Sequence, residues 1–263
     1  MSTVEETPTI GYGRMKRKED PRFVRGQGRY IDDVKLPGML CAAIKDCPVF
    51  GGKLVSFDNA QIAGMPGVRR AVRVNDSTVA VVADTWWRAK VALDALPIVW
   101  DEGENATRTS AHIAEHLKEG LTAANAYAMR NEGDTLRALE AAPVRVEAVY
   151  GTPFLAHATM EPMNCTVKIT TDRAEAWVAT QNGEAALAAL SEQSGLPLEK
   201  CEVYKHILGG GFGRRGGAQD YVRQAVSIGK QFPGVPIKLI WSREEDMTHD
   251  FYRPISQLSL IHI

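Results

Sequence analysis

Between residues 39 and 101 the apolar residues come in short blocks, each closed by a turn former. Residues 39–44 (MLCAAI) are an uninterrupted apolar run, the pattern of a buried strand. Residues 58–65 (DNAQIAGM) predict a short helix stopped by Pro66-Gly67. Residues 68–74 and 78–83 (TVAVVA) predict two further strands, rich in β-branched side chains. Residues 85–96 (TWWRAKVALDAL) predict a helix: Asp84 or Thr85 can cap it, and Trp87, Val91 and Leu93 recur near helical spacing. Pro97 then leads into a strand, PIVWD. This order of strand, helix, strand, strand, helix and strand predicts a compact α+β unit over 25–103.

The pattern changes on either side of that unit. Residues 1–24 are polar and predict an arm on the surface. Residues 104–143 are polar and alanine-rich, and predict a helical connector; its last helix, 134–142, is expected to turn Leu136 and Leu139 inward. From 144 a second unit is predicted. Residues 144–150 (VRVEAVY) alternate, as a strand with one buried face does. A hairpin follows over 166–170 and 175–180, around Thr171-Asp172-Arg173. A helix over 184–194 is ended by Gly195 and Pro197. A strand over 202–208, a glycine loop, a helix over 219–231 and a strand over 236–241 (PIKLIW) come next, and Ser242 can cap a last turn.

Composition narrows the function. The 263 residues are 44% hydrophobic and 24% charged, which suits a soluble globular protein with a sizeable core. The net charge of −1 gives no electrostatic case for nucleic acid or an anionic membrane. The basic runs at 14–18 and 69–73 are read as solvated faces. Cys41, Cys47, Cys165 and Cys201 form no C-x-x-C pair, so neither an iron–sulfur cluster nor a structural zinc is expected on them; they are read as reduced thiols. The N-terminus lacks the charged start and apolar run of a signal peptide, and no stretch approaches the ~18 apolar residues of a membrane span. A cytoplasmic location is the expectation.

Three short strings carry candidate chemistry. The run Gly209-Gly210-Gly211-Phe212-Gly213-Arg214-Arg215-Gly216-Gly217 lies between a predicted strand and a predicted helix, where helix N-termini offer free N–H groups to anions. The phosphate-loop spacing G-x-x-x-x-G-K-[ST] is absent, and a dinucleotide-binding turn is set aside because Phe212 and Arg214 interrupt the glycines. Two readings stay open: a glycine-rich turn between packed elements, or a bare backbone surface for a bulky cofactor with Phe212 facing it. Thr180-Gln181-Asn182 ends a strand just before a helix, a place where ligand-facing side chains gather; alone it reads as a cap by Asn182. His157 and Glu161 are four apart, but Pro162 argues against a helix there and no third ligand is evident, so His157 is expected buried and hydrogen-bonded. There is no G-x-S-x-G, H-E-x-x-H or Cys/His pairing, which leaves classical hydrolysis unsupported.

Taken together, several stretches resemble one family. KRKEDPRFVRGQGRYIDDVKLPGMLCAAI is similar to the start of the α/β hammerhead domain of the molybdenum hydroxylases, the xanthine dehydrogenase, aldehyde oxidase and carbon monoxide dehydrogenase family. CPVFGGKLVSFD, PGVRRAV, VAVVADTWWRAKVALDAL and VWDEG resemble the isoquinoline 1-oxidoreductase and nicotinate dehydrogenase branch. HATMEPMN, WVATQN, HILGGGFGRR and KLIWSREEDMTHDFYRP carry the likeness into the first molybdopterin-binding domain, so that it covers about 14–257. The resemblance implies a hammerhead domain over 25–103 followed by the first part of a molybdopterin-binding domain over 144–257. It implies a hydroxylase that uses water-derived oxygen at molybdenum on an aldehyde or N-heterocyclic aromatic. The metal would be held by a pterin, in its cytosine dinucleotide form, with no protein ligand. Electrons would pass to [2Fe-2S] centres on a separate small subunit. In this branch a periplasmic location also occurs.

Residue by residue, Gln181 matches the glutamine that hydrogen-bonds the apical oxo group of molybdenum, and Phe212 the aromatic beside the metal. Gly210, Gly211, Gly213 and Arg214 complete the expected cofactor contacts. Xanthine-oxidising relatives place a glutamate shortly after this loop; Gly216 stands there, which argues against purines. The general-base glutamate of the family lies far downstream, beyond this chain, so no catalytic base is assigned and no turnover is expected of these residues alone. The last six residues, LSLIHI, are what the transposase adapter of DNA library preparation encodes in one frame, and are read as a sequencing scar at 258–263. Two rival readings stand beside this one: a non-catalytic interface module for an iron–sulfur partner, and an ordinary nucleotide-binding enzyme built on the glycine loop.

Overall fold

The structure, a computed structural model, describes residues 25–130, 132–252 and 258–262; the arm expected over 1–24 lies outside them. Its strands are β1 (Leu40–Asp46), β2 (Lys53–Phe57), β3 (Val68–Asn75), β4 (Thr78–Ala83), β5 (Ile98–Asp101), β6 (Glu147–Gly151), β7 (Asn164–Ile169), β8 (Ala174–Val178), β9 (Cys201–Lys205), β10 (Ile237–Ile240) and β11 (Leu258–His262). Its helices are α1 (Trp86–Ala95), α2 (Ser110–Gly120), α3 (Thr135–Ala141), α4 (Gly183–Ser194), α5 (Asp220–Gly229) and α6 (Arg243–Thr248).

Seven strands form one sheet in the order β3-β4-β1-β10-β7-β8-β9. Strands from both stretches of the sequence thus share a sheet, joined where β1 pairs in parallel with β10 (Leu40 opposite Ile237, Ala42 opposite Leu239). The β8–β9 pair is also parallel, and α4 supplies the crossover that such a pair needs. The remaining pairs of the sheet are antiparallel. Two small ribbons stand outside it: β2 with β5, and β6 with β11.

Alternation along β4 builds the two cores. Val79, Val81 and Ala83 face α1, where Ala89, Ala92 and Leu93 are buried. Ala80 and Val82 face the other way, into a core shared with Tyr221, Val222 and Ala225 of α5. The α1 prediction needs a correction of face. Its buried residues are chiefly alanines, which let the helix lie close to the sheet, while Trp87 is 69% exposed. Trp86 instead reaches β10, its Nε1 donating to the Ile240 carbonyl at 2.8 Å.

Other expectations shift at their edges. The helix expected over 58–65 is only a 3-10 turn, Asn59–Gln61, with Asp58 accepting from the Ala60 N–H. Strand β2 was not anticipated; only Leu54 in it is buried, too little to make a pattern. In the connector, Thr109 caps α2 and Asp134 caps α3, yet neither helix buries a residue. Leu136 is 75% exposed, against the inward face expected for it, because no element among the described residues covers it; Leu139 is half-buried.

Candidate functional site

The three strings singled out in the sequence meet at one corner. Strand β8 ends at Val178, and the chain turns through Thr180-Gln181-Asn182 into α4, where Asn182 Oδ1 accepts from the Ala185 N–H. The glycine loop lies alongside. Gly213 N–H donates to Gln181 Oε1 at 3.0 Å, and Gln181 N–H donates to the Arg215 carbonyl at 3.1 Å. The segment 157–164 closes the third side: Glu161 N–H donates to the Gly209 carbonyl, and Gly209 N–H to Glu161 Oε2 at 2.9 Å.

These contacts explain two of the glycines directly. A Cβ on Gly209 would fall 2.4 Å from Glu161 Cβ, and one on Gly211 2.7 Å from Gln181 Oε1. The bare backbone is therefore needed first by the protein itself, to let two polar side chains lie against it. What remains open toward a ligand is narrower than the string implies. Among the described residues, the N–H groups of Gly210 and Gly211 have no acceptor, although Gly211 is buried. Buried backbone donors are nearly always paired, so the Gly211 N–H marks a place for an acceptor atom, with the half-buried Gly210 N–H next to it in the chain. The Gln181 amide adds to them. With Oε1 occupied by the Gly213 N–H, its NH2 is left to donate.

Backbone strain gathers at the same corner. Among the described residues only Ala158 (φ 44°) and Phe212 (φ 54°) take the left-handed region without being glycine. A bulky residue rarely sits there, and such strain persists only where the surroundings enforce it. Phe212 is 64% exposed.

Arg215 ties down the segments that carry these two residues. It is fully buried, and its guanidinium donates to the carbonyls of Gly210, Ala179, Glu161 and Pro162 at 3.1, 3.0, 2.8 and 3.1 Å. Its charge is met by Glu161 Oε2 at 3.5 Å. One side chain thus ties the loop, the strand end and the 157–164 segment together. Gln219 secures the far end of the loop, donating from Nε2 to the carbonyls of Arg215 and Gly216, both at 3.1 Å.

Arg214, expected among the cofactor contacts, has its side chain turned inward. It is 2% exposed, paired with both carboxylate oxygens of Asp220 at 2.8 Å and with Asp250 Oδ1 at 2.9 Å, over the Trp241 and Phe251 rings. Asp250 also receives the His157 N–H and lies 2.9 Å from His157 Nδ1. His157 is therefore largely buried and hydrogen-bonded, as its sequence context implied, and Glu161 is engaged elsewhere. At the head of the loop, partial burial pushes His206 below the ordinary histidine range, against the pull of the Glu161 charge. The four cysteines are unpaired, and burial pushes the Cys165 thiol far up, which makes it a core residue and not a reactive one.

The glycine string does meet the dinucleotide spacing G-x-G-x-x-G, from Gly211 to Gly216, so the reason given above for discounting it fails. Geometry is what separates it. A dinucleotide turn joins a strand end directly to a helix start. Here β9 ends at Lys205 and α5 starts only at Asp220, with the loop folded back onto Glu161 and Gln181 between them.

Residues 117–258, more than half of the chain, match the model of the molybdopterin cofactor-binding domain. The chain belongs to this family. Its α+β fold agrees with solved relatives. Quinoline 2-oxidoreductase from Pseudomonas putida superposes with a TM-score of 0.68 at 20% identity, over 88% of this chain and 34% of that one. The aldehyde oxidoreductase of Desulfovibrio desulfuricans gives 0.66 at 17% identity, over 90% and 31%. Among curated relatives, the isoquinoline 1-oxidoreductase subunit beta of Brevundimonas diminuta is 29% identical over 90% of this chain and 31% of its own. A membrane-bound aldehyde dehydrogenase (pyrroloquinoline-quinone) of Gluconacetobacter polyoxogenes is 28% identical over 96% and 34%. The chain spans about a third of the length of these relatives. No helix among the described residues is long and apolar enough to cross a membrane.

Sequence reasoning found Gln181 and the glycines but missed the clamp. Glu161 was weighed only as a metal ligand, and Arg215 not at all. A buried arginine is recognisable only from the carbonyls it gathers, and these come from positions 161, 162, 179 and 210.

Proposed function

We propose that this chain is part of a molybdenum hydroxylase large subunit, with the corner between Gln181 and the 209–213 loop as its side of the cofactor pocket. One observation carries the reading: the Gly213–Gln181 hydrogen bond, which joins the two strings and, among the described residues, leaves the Gln181 NH2 and the N–H groups of Gly210 and Gly211 without an acceptor. Donors fixed in place favour an oxygen that carries or gains negative charge. When bound, a molybdenum pterin supplies the oxygen transfer and the two-electron step. Gln181 would hold the group through its side-chain NH2, Gly210 and Gly211 would donate to it from the main chain, and Phe212 would form one wall. Arg214 acts at one remove, as a positioning residue that sets Asp250 under His157 and the loop.

The finer points extend the same reading. The pterin is taken in its cytosine dinucleotide form, the substrate as an aldehyde or N-heterocyclic aromatic, and the electron acceptor as a [2Fe-2S] small subunit. The domain division at 103 and 144, and a scar at 258–263, belong to it as well. Reading the genomic locus across Gln257–Leu258 checks the scar, since unbroken coding homology there removes it.

The functional test compares two proteins made in a host that supplies the cofactor: the uninterrupted gene product with its small-subunit neighbour, and this chain alone. The first is expected to carry molybdenum and pterin and to reduce a dye with an aldehyde or N-heterocycle; this chain is expected to show no turnover. Gln181→Ala in the whole enzyme should lower kcat by roughly 10²–10³, the scale for losing one preorganised donor. A whole protein without molybdenum or pterin would sink the proposal.

A further inference from the structure

A second cluster lies on the other side of Asp250, where the end of β1 meets α6. Asp46, Glu245 and His249 each bring one ligand-type atom to within 4.8 Å of the others. Glu245 and His249 side chains are only 10% and 9% exposed, and Asp46 is half-buried. We infer that Asp46, Glu245 and His249 form a site for one divalent transition ion of the zinc type, which would clip β1 to α6.

Hydrogen-bonding chemistry points to it. His249 Nε2 lies 2.9 Å from the Cys47 carbonyl, which can only accept, so Nε2 carries a hydrogen. In the neutral ring Nδ1 then holds the lone pair, and it faces Glu245 Oε1 at 3.1 Å. A lone pair against a carboxylate at that distance calls for a cation between them, either a proton on Nδ1 or a metal ion. Nδ1 is buried and has no partner in hydrogen-bond geometry, so a proton there would be poorly aimed. A metal has no such constraint. Two ligands bound at about 2.0–2.1 Å to a tetrahedral ion stand roughly 3.3 Å apart, close to the separation found.

The surroundings are built to hold the ligands still. Thr78 Oγ1 donates to one oxygen of Asp46, and Gln224 Nε2 to the other at 3.4 Å. Gln224 is itself fixed by the Trp241 Nε1 at 3.0 Å. Asp46 N–H donates to Glu245 Oε1 at 2.7 Å. Ligands oriented by such outer contacts are the rule in metal sites. Three nitrogen and oxygen ligands would leave a fourth position for water.

This site stands independently of the pterin reading. The test is calorimetric titration of the 263-residue chain, stripped by chelator, with ZnCl2, and absorption spectroscopy with CoCl2. One equivalent should bind, the melting temperature should rise, and Co2+ should show d–d bands without a thiolate charge-transfer band. His249→Gln and Asp46→Asn, checked for folding by circular dichroism, should each weaken Zn2+ by more than roughly tenfold. No saturable binding, binding unchanged in both variants, or a thiolate band would overturn the site. Should either variant fail to fold, the Co2+ spectrum of the unaltered chain decides.

Discussion

The glycine loop and the connector make an instructive pair. The loop, 209–217, has no regular structure, and yet it is held at nearly every residue. Arg215, Glu161, Gln181 and Gln219 bind its backbone from three sides. The connector is the reverse. Its helices α2 and α3 are regular and well capped, but no residue of either is fully buried, and Tyr127, Met129 and Leu136 stand 91%, 90% and 75% exposed. Regular secondary structure is thus a poor guide to where this molecule is fixed. Buried hydrogen bonds to a charged side chain do that, and they need no repeating backbone. Local structure without tertiary contacts is marginal in water, however well its ends are capped.

Substitutions can break that contrast. The largest effect is expected from Arg215→Met, which strands the buried Glu161 carboxylate and four carbonyls; a loss of about 3–5 kcal/mol in urea unfolding is predicted. A loss below about 1 kcal/mol would show that the clamp is ornamental. Next comes Gly209→Ala, whose new methyl meets Glu161 Cβ at 2.4 Å and should cost about 1–3 kcal/mol. Gly217 has open space around it, so Gly217→Ala should cost nothing and serves as the control. The smallest effect belongs to the connector: Leu136→Ser is expected to stay within about 0.5 kcal/mol. A larger change there would mean that this face is covered in solution, and the contrast between the two regions would fall.

Much of the fold was legible because its strands are short apolar blocks between clear stops. Residues 68–75, 78–83 and 98–101 were placed within a residue or so, and the caps Thr85, Asn182 and Ser242 were readable by type. Burial was less legible. Trp87 looked like a core residue of α1, and the alanines beside it carry the contact, because the sheet approaches too closely for a large ring. The site was half legible. Gln181 and the glycines could be named from motif strings, while Glu161, Arg215 and Asp250 could not, since each matters through partners far away in sequence.

By itself the sequence determined which segments become strands and helices, where they stop, and which two strings carry the family's chemistry. Those are local matters, decided by side-chain shape, period and backbone freedom. Only the tertiary structure decided that β1 pairs with β10, so that strands drawn from 40–83 and from 164–240 make one sheet. It alone gave the glycines their immediate partners, turned Arg214 inward to two carboxylates, and set Asp46 beside His249. Each of these depends on groups brought within a few ångströms across long stretches of chain. Hydrogen bonds and close ion pairs form only at that range, and no periodicity in the sequence records it.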